Sequence, residues 1–153
     1  MKDEVLRGVY LFKELNPEEM DLILSIAREK KFKKDEVIFS EGEPGNAFYI
    51  IVSGSVRIST MVPGVGEEAL AVLKPGEYFG EMALIDDAPR SASAIANEDS
   101  LLISIAKDDF LKLISSNNAL GYKLLWVFTR TLTDRLRKTD EQLKAIFAIA
   151  KNF

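Results

Sequence analysis

The sequence contains no cysteine and no histidine. Disulfide frameworks, thiol nucleophiles, imidazole acid–base chemistry and the usual zinc ligand sets are therefore excluded. Long apolar runs are missing too. No stretch approaches the roughly 18 residues of a membrane span, and the opening "MKDEVLRGVY" carries charges where a signal peptide needs its apolar segment. A cytoplasmic protein is expected. The chemistry left to the chain is that of carboxylates, Arg and Lys, and hydroxyls.

What is present is the material of one globular domain. The 153 residues, 47% hydrophobic and 29% charged, supply enough apolar side chain for a core and leave no room for a second full domain. The formal net charge of −4 is unevenly spread, because residues 120–153 hold seven Lys/Arg against three Asp/Glu while the remainder is acidic. An acidic body argues against the whole domain being a nucleic-acid binder.

"NPEEMDLILSIAREK" predicts a helix, with Asn16 as N-cap, Pro17 in the first turn and Glu19 completing a capping box. Met20, Ile23, Leu24 and Ala27 recur at helical spacing on its buried face. Lys30, Lys31, Lys33 and Lys34 read as a solvated exit from that helix. From Lys34 the period changes to two, in the runs "EVIFS", "FYIIVSGSVRIST", "EALAVL" and "SLLISI". Turn signals at "EGEPGN", "VSGS", "VPGVGE" and "LKPGE" predict a compact antiparallel barrel or sandwich.

After a short helix in "IAKDDFLKLISSNN", no proline interrupts the chain from Ala119 onward, which predicts one helix of roughly 30 residues. Leu125, Thr129, Leu132, Leu136, Thr139, Leu143, Ile146, Ala150 and Phe153 alternate in steps of four and three. That is the seam of a helix paired in parallel with its own copy. Leu124, Trp126, Val127 and Phe128, on the other side of its first turns, are expected to lie on the barrel.

"FGEMALIDDAPRSASA" carries the chemistry. Gly80 lets a ligand approach the backbone, and "EMAL" is long enough for one helical turn. Arg90 offers a guanidinium fork suited to phosphate, stiffened by Pro89. Glu81, an acceptor when ionised, can take a hydrogen bond from a hydroxyl but repels a second phosphate. The site asks for one phosphate and one nearby hydroxyl, which a 3′,5′-cyclic nucleotide offers. Paired with one another across a surface turn, Glu81 and Arg90 would instead contribute only ~0–1 kcal/mol. Asp86 and Asp87 read as a solvated loop tip.

The stretch resembles the phosphate-binding cassette of the cyclic nucleotide-binding domain family, in which F-G-E precedes a small-apolar run and then P-R and a small residue. "VIFSEGEPGNAFYIIVSGSVRI" is similar to the family's early β-roll, and "LKPGEYFGE" to its approach to the cassette. The resemblance implies an α+β fold: an antiparallel, jelly-roll-like β-roll with N-terminal helices and a long C-terminal dimerisation helix. Helices are expected over 1–31, the β-roll over 32–107 with its cassette at 79–92, and helices again over 108–153.

By the same resemblance, Glu81 beside Gly80 accepts from the ribose 2′-OH, and Arg90 and Ser91 bind the cyclic phosphate. Met82, Ala83 and Ala92 line the same site, and Ile58 and Leu70 face the base. The residues that cap the base are either Arg135 with Leu136 or Thr139 with Asp140. Ser91 after the arginine is intermediate, since its hydroxyl can bond the guanine amino group while a serine there also occurs in the family's cAMP-binding activators; the resemblance implies cAMP, with cGMP as the alternative. The family's bacterial regulators of the catabolite activator type carry a helix-turn-helix after the dimer helix. None follows Leu143 here, so direct DNA binding is not expected. The resulting expectation is a regulatory sensor with no metal and no enzymatic activity, which signals to a separate effector protein. The alternative is a structural dimerisation protein whose pocket takes another small anion or nothing. An enzyme acting through Glu81 would lack an acid–base pair.

Overall fold

The strand-period runs fold into two four-stranded antiparallel sheets, flanked on one side by helices, in a computed structural model that describes residues 2–152. The chain begins with α1 (Lys2–Arg7), a single 3-10 turn at Tyr10–Phe12 and α2 (Pro17–Ile26). Five strands follow: β1 (Ala27–Phe32), β2 (Val37–Phe39), β3 (Ala47–Ser53), β4 (Val56–Val62) and β5 (Gly66–Leu73). Then come β6 (Tyr78–Phe79), α3 (Met82–Ile85), β7 (Ser93–Ala96), β8 (Ser100–Ala106), α4 (Lys107–Ser116) and α5 (Asn118–Lys151). One sheet has the order β1-β8-β3-β6 and the other β2-β7-β4-β5.

Two cores result. Between the sheets lie Tyr49, Ile51, Val56, Phe79, Ala94 and Leu102. On the outer face of the first sheet, Phe48, Ile50, Ile103 and Ile105 pack against Phe110, Leu120, Leu124 and Phe128 of the helices. Strand β3 is buried on both faces, which is why its side chains do not alternate in polarity. Phe128 meets Phe48, Phe110 and Tyr78 edge-on at 6.0, 5.9 and 5.6 Å, the geometry in which ring edges meet ring faces. These contacts seat the first half of α5 on the roll.

The capping box of α2 forms as expected. Asn16 Oδ1 accepts from the Glu19 amide at 2.8 Å, and Glu19 Oε1 accepts from the Asn16 amide at 2.9 Å. The same carboxylate oxygen accepts from Lys123 Nζ at 2.6 Å, tying the start of α2 to α5. Burial would raise the Glu19 carboxyl, but the Lys123 hydrogen bond, the Asn16 amide and the Lys123 charge together hold it below its ordinary value.

Two expectations need correction. The helix does not run on through "AREK": it stops at Ile26, and residues 27–32 are strand β1, so the β-roll begins before residue 32. β1 is an edge strand paired only with β8, from Ala27 opposite Ile105 to Phe32 opposite Ser100. Arg28, Glu29, Lys30 and Lys31 are all exposed, so no alternation marks the strand, and lysines on a sheet edge discourage pairing with other chains. Trp126 does not lie on the roll either. Two residues of helix beyond Leu124 turn it by about 200°, and it is 55% exposed while Leu124, Val127 and Phe128 are buried.

α5 is 34 residues long, about 50 Å. Its N-cap Asn117 accepts from the Leu120 amide at 3.1 Å. Beyond Thr133 the helix leaves the helical core, and its apolar stripe is open: Leu136, Leu143 and Ile146 are between 46% and 62% exposed. Phe153, the last position of the expected seam, lies outside the described residues. No helix among the described residues is long and apolar enough to cross a membrane.

Candidate ligand-binding site

Between β6 and β7 the chain makes a short excursion whose backbone is fixed at both ends. Gly80 has φ +80°, a conformation that L side chains rarely adopt, and a Cβ there would lie 2.9 Å from Arg90 Nη1. α3 is the single turn expected from "EMAL". On its far side Arg90 is held by its own main chain: its amide donates to Glu43 O and its carbonyl accepts from the Gly42 amide, both at 2.8 Å. The loop of residues 40–46 thereby clamps the cassette. Gly45 packs directly under Ala83, where a Cβ would stand 2.2 Å from the alanine's own.

Arg90 is buried. Nη1 donates to Gly80 O at 3.0 Å and Nη2 to Ala47 O at 2.6 Å, and the guanidinium carbon sits 4.0 Å over the Phe39 ring. Its Nε–H is buried with no hydrogen-bond partner. Burial pulls the guanidinium below its ordinary value, opposed by Tyr49, Glu43 and Glu81, but an arginine remains charged through such a shift. No salt bridge to a carboxylate compensates this cation among the described residues. A buried donor in that position leaves roughly 1–3 kcal/mol of desolvation unrecovered until an acceptor arrives.

Glu81 is also buried, yet its partner is not Arg90. Arg135 of α5 reaches in and donates from Nη1 to Glu81 Oε1 and from Nη2 to Tyr78 O, the latter at 3.3 Å. Arg135 is itself partly exposed. The cassette carboxylate is thus held by a residue of the C-terminal helix, and the pairing of Glu81 with Arg90 across a turn does not form.

These groups line a cavity of about 450 Å³, within the ~300–1,000 Å³ typical of small-molecule sites. Of the site residues expected from the sequence, Ile58, Gly80, Glu81, Met82, Ala83, Arg90, Ser91, Ala92 and Arg135 all line it. Leu70 does not. It falls at a bulge in the β4–β5 pairing, where Ile58 opposes Ala71 but Ser59 opposes Ala69, and it is 63% exposed. A bulge shifts the alternation by one residue, so Ala71 and Leu73 form the wall in its place. The two base-capping alternatives divide: Arg135 and Thr139 line the cavity, and Leu136 and Asp140 do not. Asp86 lines it as well, its Oδ1 accepting from the Ala88 amide at 3.0 Å, while exposed Asp87 pairs with Lys107 at 3.1 Å. No group of acidic residues among those described could hold a metal ion.

Phe79, Ala88 and Pro89 of the same excursion line it too, and so do Phe39, Lys138 and Gln142, which were not expected from the sequence. Lys138 and Gln142 share the helical spacing of Arg135 and Thr139, a signal that could have placed them.

The family model for the cyclic nucleotide-binding domain matches residues 29–117. The chain belongs to that family. It is similar to the cyclic AMP receptor protein of Thermus thermophilus, at 39% identity over 148 residues covering 96% of this chain and 67% of the relative. It is also similar to a CRP-like cAMP-activated global transcriptional regulator of Mycobacterium tuberculosis, at 30% identity over 92% of this chain. The chain spans 61% of that regulator's length. Among solved structures, the regulatory domain of Toxoplasma gondii PKA with cAMP matches with a TM-score of 0.66 and 30% identity, over 72% of this chain and 42% of that one.

Proposed function

We propose that this domain binds a 3′,5′-cyclic nucleotide, cAMP in preference to cGMP, and passes the event to an effector protein through α5. The observation that carries the reading is Arg90: a buried cation lining the cavity, with its Nε–H unpartnered and its other bonds made only to backbone carbonyls. The cyclic phosphate supplies the missing acceptor, with Ser91 beside it. Glu81 takes the ribose 2′-OH, which a bare anion lacks. The base lies between Ile58, Ala71 and Leu73 on one side and α5 on the other. Three relatives named for cAMP support the choice of base.

A ligand at Glu81 necessarily meets Arg135, because the two side chains are bonded. Binding therefore acts on α5, by as much as the ligand prefers one helix position over another. The exposed seam of α5 is the surface of a parallel homodimer in this reading.

Calorimetric titration with cAMP and cGMP tests it. About one ligand per chain is expected, and Arg90→Ala should weaken binding by roughly 30-fold or more, the equivalent of ~2 kcal/mol for a desolvated charge pair. A folded protein that binds neither nucleotide would falsify the reading and leave the dimerisation role.

A further inference from the structure

We infer that Lys138 and Gln142 set the base preference of this cavity in opposite senses, Lys138 favouring guanine and Gln142 favouring adenine. The inference rests on the cyclic nucleotide reading and concerns the end of the cavity that lies under α5.

Arg135 anchors the helix at Glu81, so the ribose position is fixed relative to α5. From there the helix advances seven residues, about 10 Å, to Gln142. Lys138, Thr139 and Gln142 are the residues of that stretch that line the cavity. The wall formed by Ile58, Ala71 and Leu73 is apolar and can cover a base plane without reading its edge. Discrimination between bases at this end of the cavity, away from Ser91 and the phosphate, therefore falls to the three helix residues.

Their donor and acceptor patterns differ. The Thr139 hydroxyl donates to Arg135 O at 3.0 Å, so it presents only lone pairs to the cavity. An acceptor there is matched equally by the amino group of adenine and by the N1–H or amino group of guanine. Lys138 is a pure donor. Guanine offers it two adjacent acceptors, O6 and N7, whereas adenine sets an N6 amino group beside N7. Gln142 carries a donor and an acceptor on one amide, the pattern that pairs with N7 and N6 of adenine.

Neither side chain is engaged elsewhere: no hydrogen bond or ion pair holds Lys138 or Gln142 among the described residues. The cavity carboxylates do not neutralise Lys138, since Glu81 bonds Arg135 and Asp86 is turned onto the Ala88 amide.

The test measures cAMP and cGMP affinities for the wild type, Lys138→Met and Gln142→Leu. Both sites are exposed positions late in α5, so the folded core is unaffected. Lys138→Met is expected to shift the affinity ratio about tenfold toward cAMP, and Gln142→Leu by about as much toward cGMP. Ratios that stay within about twofold of wild type in both variants, or that move the other way, overturn the assignment. If the wild type binds neither nucleotide, the ligand reading fails and this assignment falls with it.

Discussion

Gly45 is the residue on which the geometry of the cassette turns, and its replacement by alanine is a clean perturbation. Its φ lies outside the left-handed region, so alanine introduces no backbone strain. The added Cβ would stand 2.2 Å from Ala83 Cβ, 3.4 Å from Ala83 Cα and 3.4 Å from Arg90 Cζ. Carbon atoms in contact sit about 3.5–4.0 Å apart, so α3 must retreat by about 1.3 Å or more. The conflict at 2.2 Å is with Ala83 Cβ, which has no rotamer that could carry it aside. A hydrogen bond of ~2.9 Å between α3 and a bound anion would stretch past 4 Å and cease to be one. Each such bond to a charged group contributes roughly 1.5–3 kcal/mol, so Gly45→Ala should bind cAMP at least tenfold more weakly.

Overpacking of this kind costs about 1–3 kcal/mol, which for a chain of this length lowers the melting temperature by roughly 2–12 °C. The double variant Gly45→Ala/Ala83→Gly removes the opposing methyl and restores room, leaving a cost of roughly 1 kcal/mol for glycine in a helix. Gly64→Ala, at the open tip of the β4–β5 turn with φ +77°, controls for stability loss alone: it adds strain but touches nothing within 4 Å. Calorimetry with cAMP, alongside thermal melting, reads all four proteins. If Gly45→Ala binds within about threefold of wild type, or the double variant binds no better than the single, the cassette is not held in register by this contact.

The pairing of Glu19 with Lys123 makes stability pH-dependent. Because the folded carboxyl lies below its unfolded value of about 4.3, its contribution is complete above that pH and disappears as pH falls through the folded value. Lys123→Met should cost about 2 kcal/mol near neutral pH, and melting curves of the two proteins should converge toward pH 3. Arg135→Ala removes the link between Glu81 and α5, so hydrogen exchange in the second half of α5 is expected to respond to saturating cAMP in the wild type and not in the variant. Leu136→Glu combined with Leu143→Glu places like charges along the open stripe of α5, and sedimentation should show a dimer for the wild type and a monomer for this variant.

The cassette was legible because its information is local. The eleven residues from Gly80 to Arg90 carry their own glycine, helical turn and proline, and they fold into the single turn expected of them. Glu81's partner was not legible, since Arg135 lies 54 residues away and only the packing of Phe128 on the roll brings it within reach. Arg135 was a candidate through resemblance alone, in the role of a cap over the base. β1 was misread for a related reason. Its polar side chains carry no strand period, and only its pairing with the apolar β8 makes it a strand. Leu70 fails at a finer level, because one bulge moves every later side chain of β5 to the opposite face. Periodicity sees elements and one-residue motifs, but not the offsets between strands.

The same helix serves as cavity wall and as exposed seam, and its geometry couples the two roles. Arg135, Lys138, Thr139 and Gln142 line the cavity; Leu132, Leu136, Thr139 and Leu143 belong to the stripe. The sets interleave at steps of three and four and share Thr139. In a rigid helix no residue of one set can turn without turning the other by the same angle. A side chain about 5 Å from the axis moves roughly 2 Å for a 20° rotation, enough to unseat a knob from its hole in a paired helix. In the proposed function, a ligand that draws Arg135 toward Glu81, or pushes it away, would therefore change the face that α5 offers to a second copy. No hinge between cavity and seam is required, because Arg135 to Leu143, a single continuous stretch of α5, carries both.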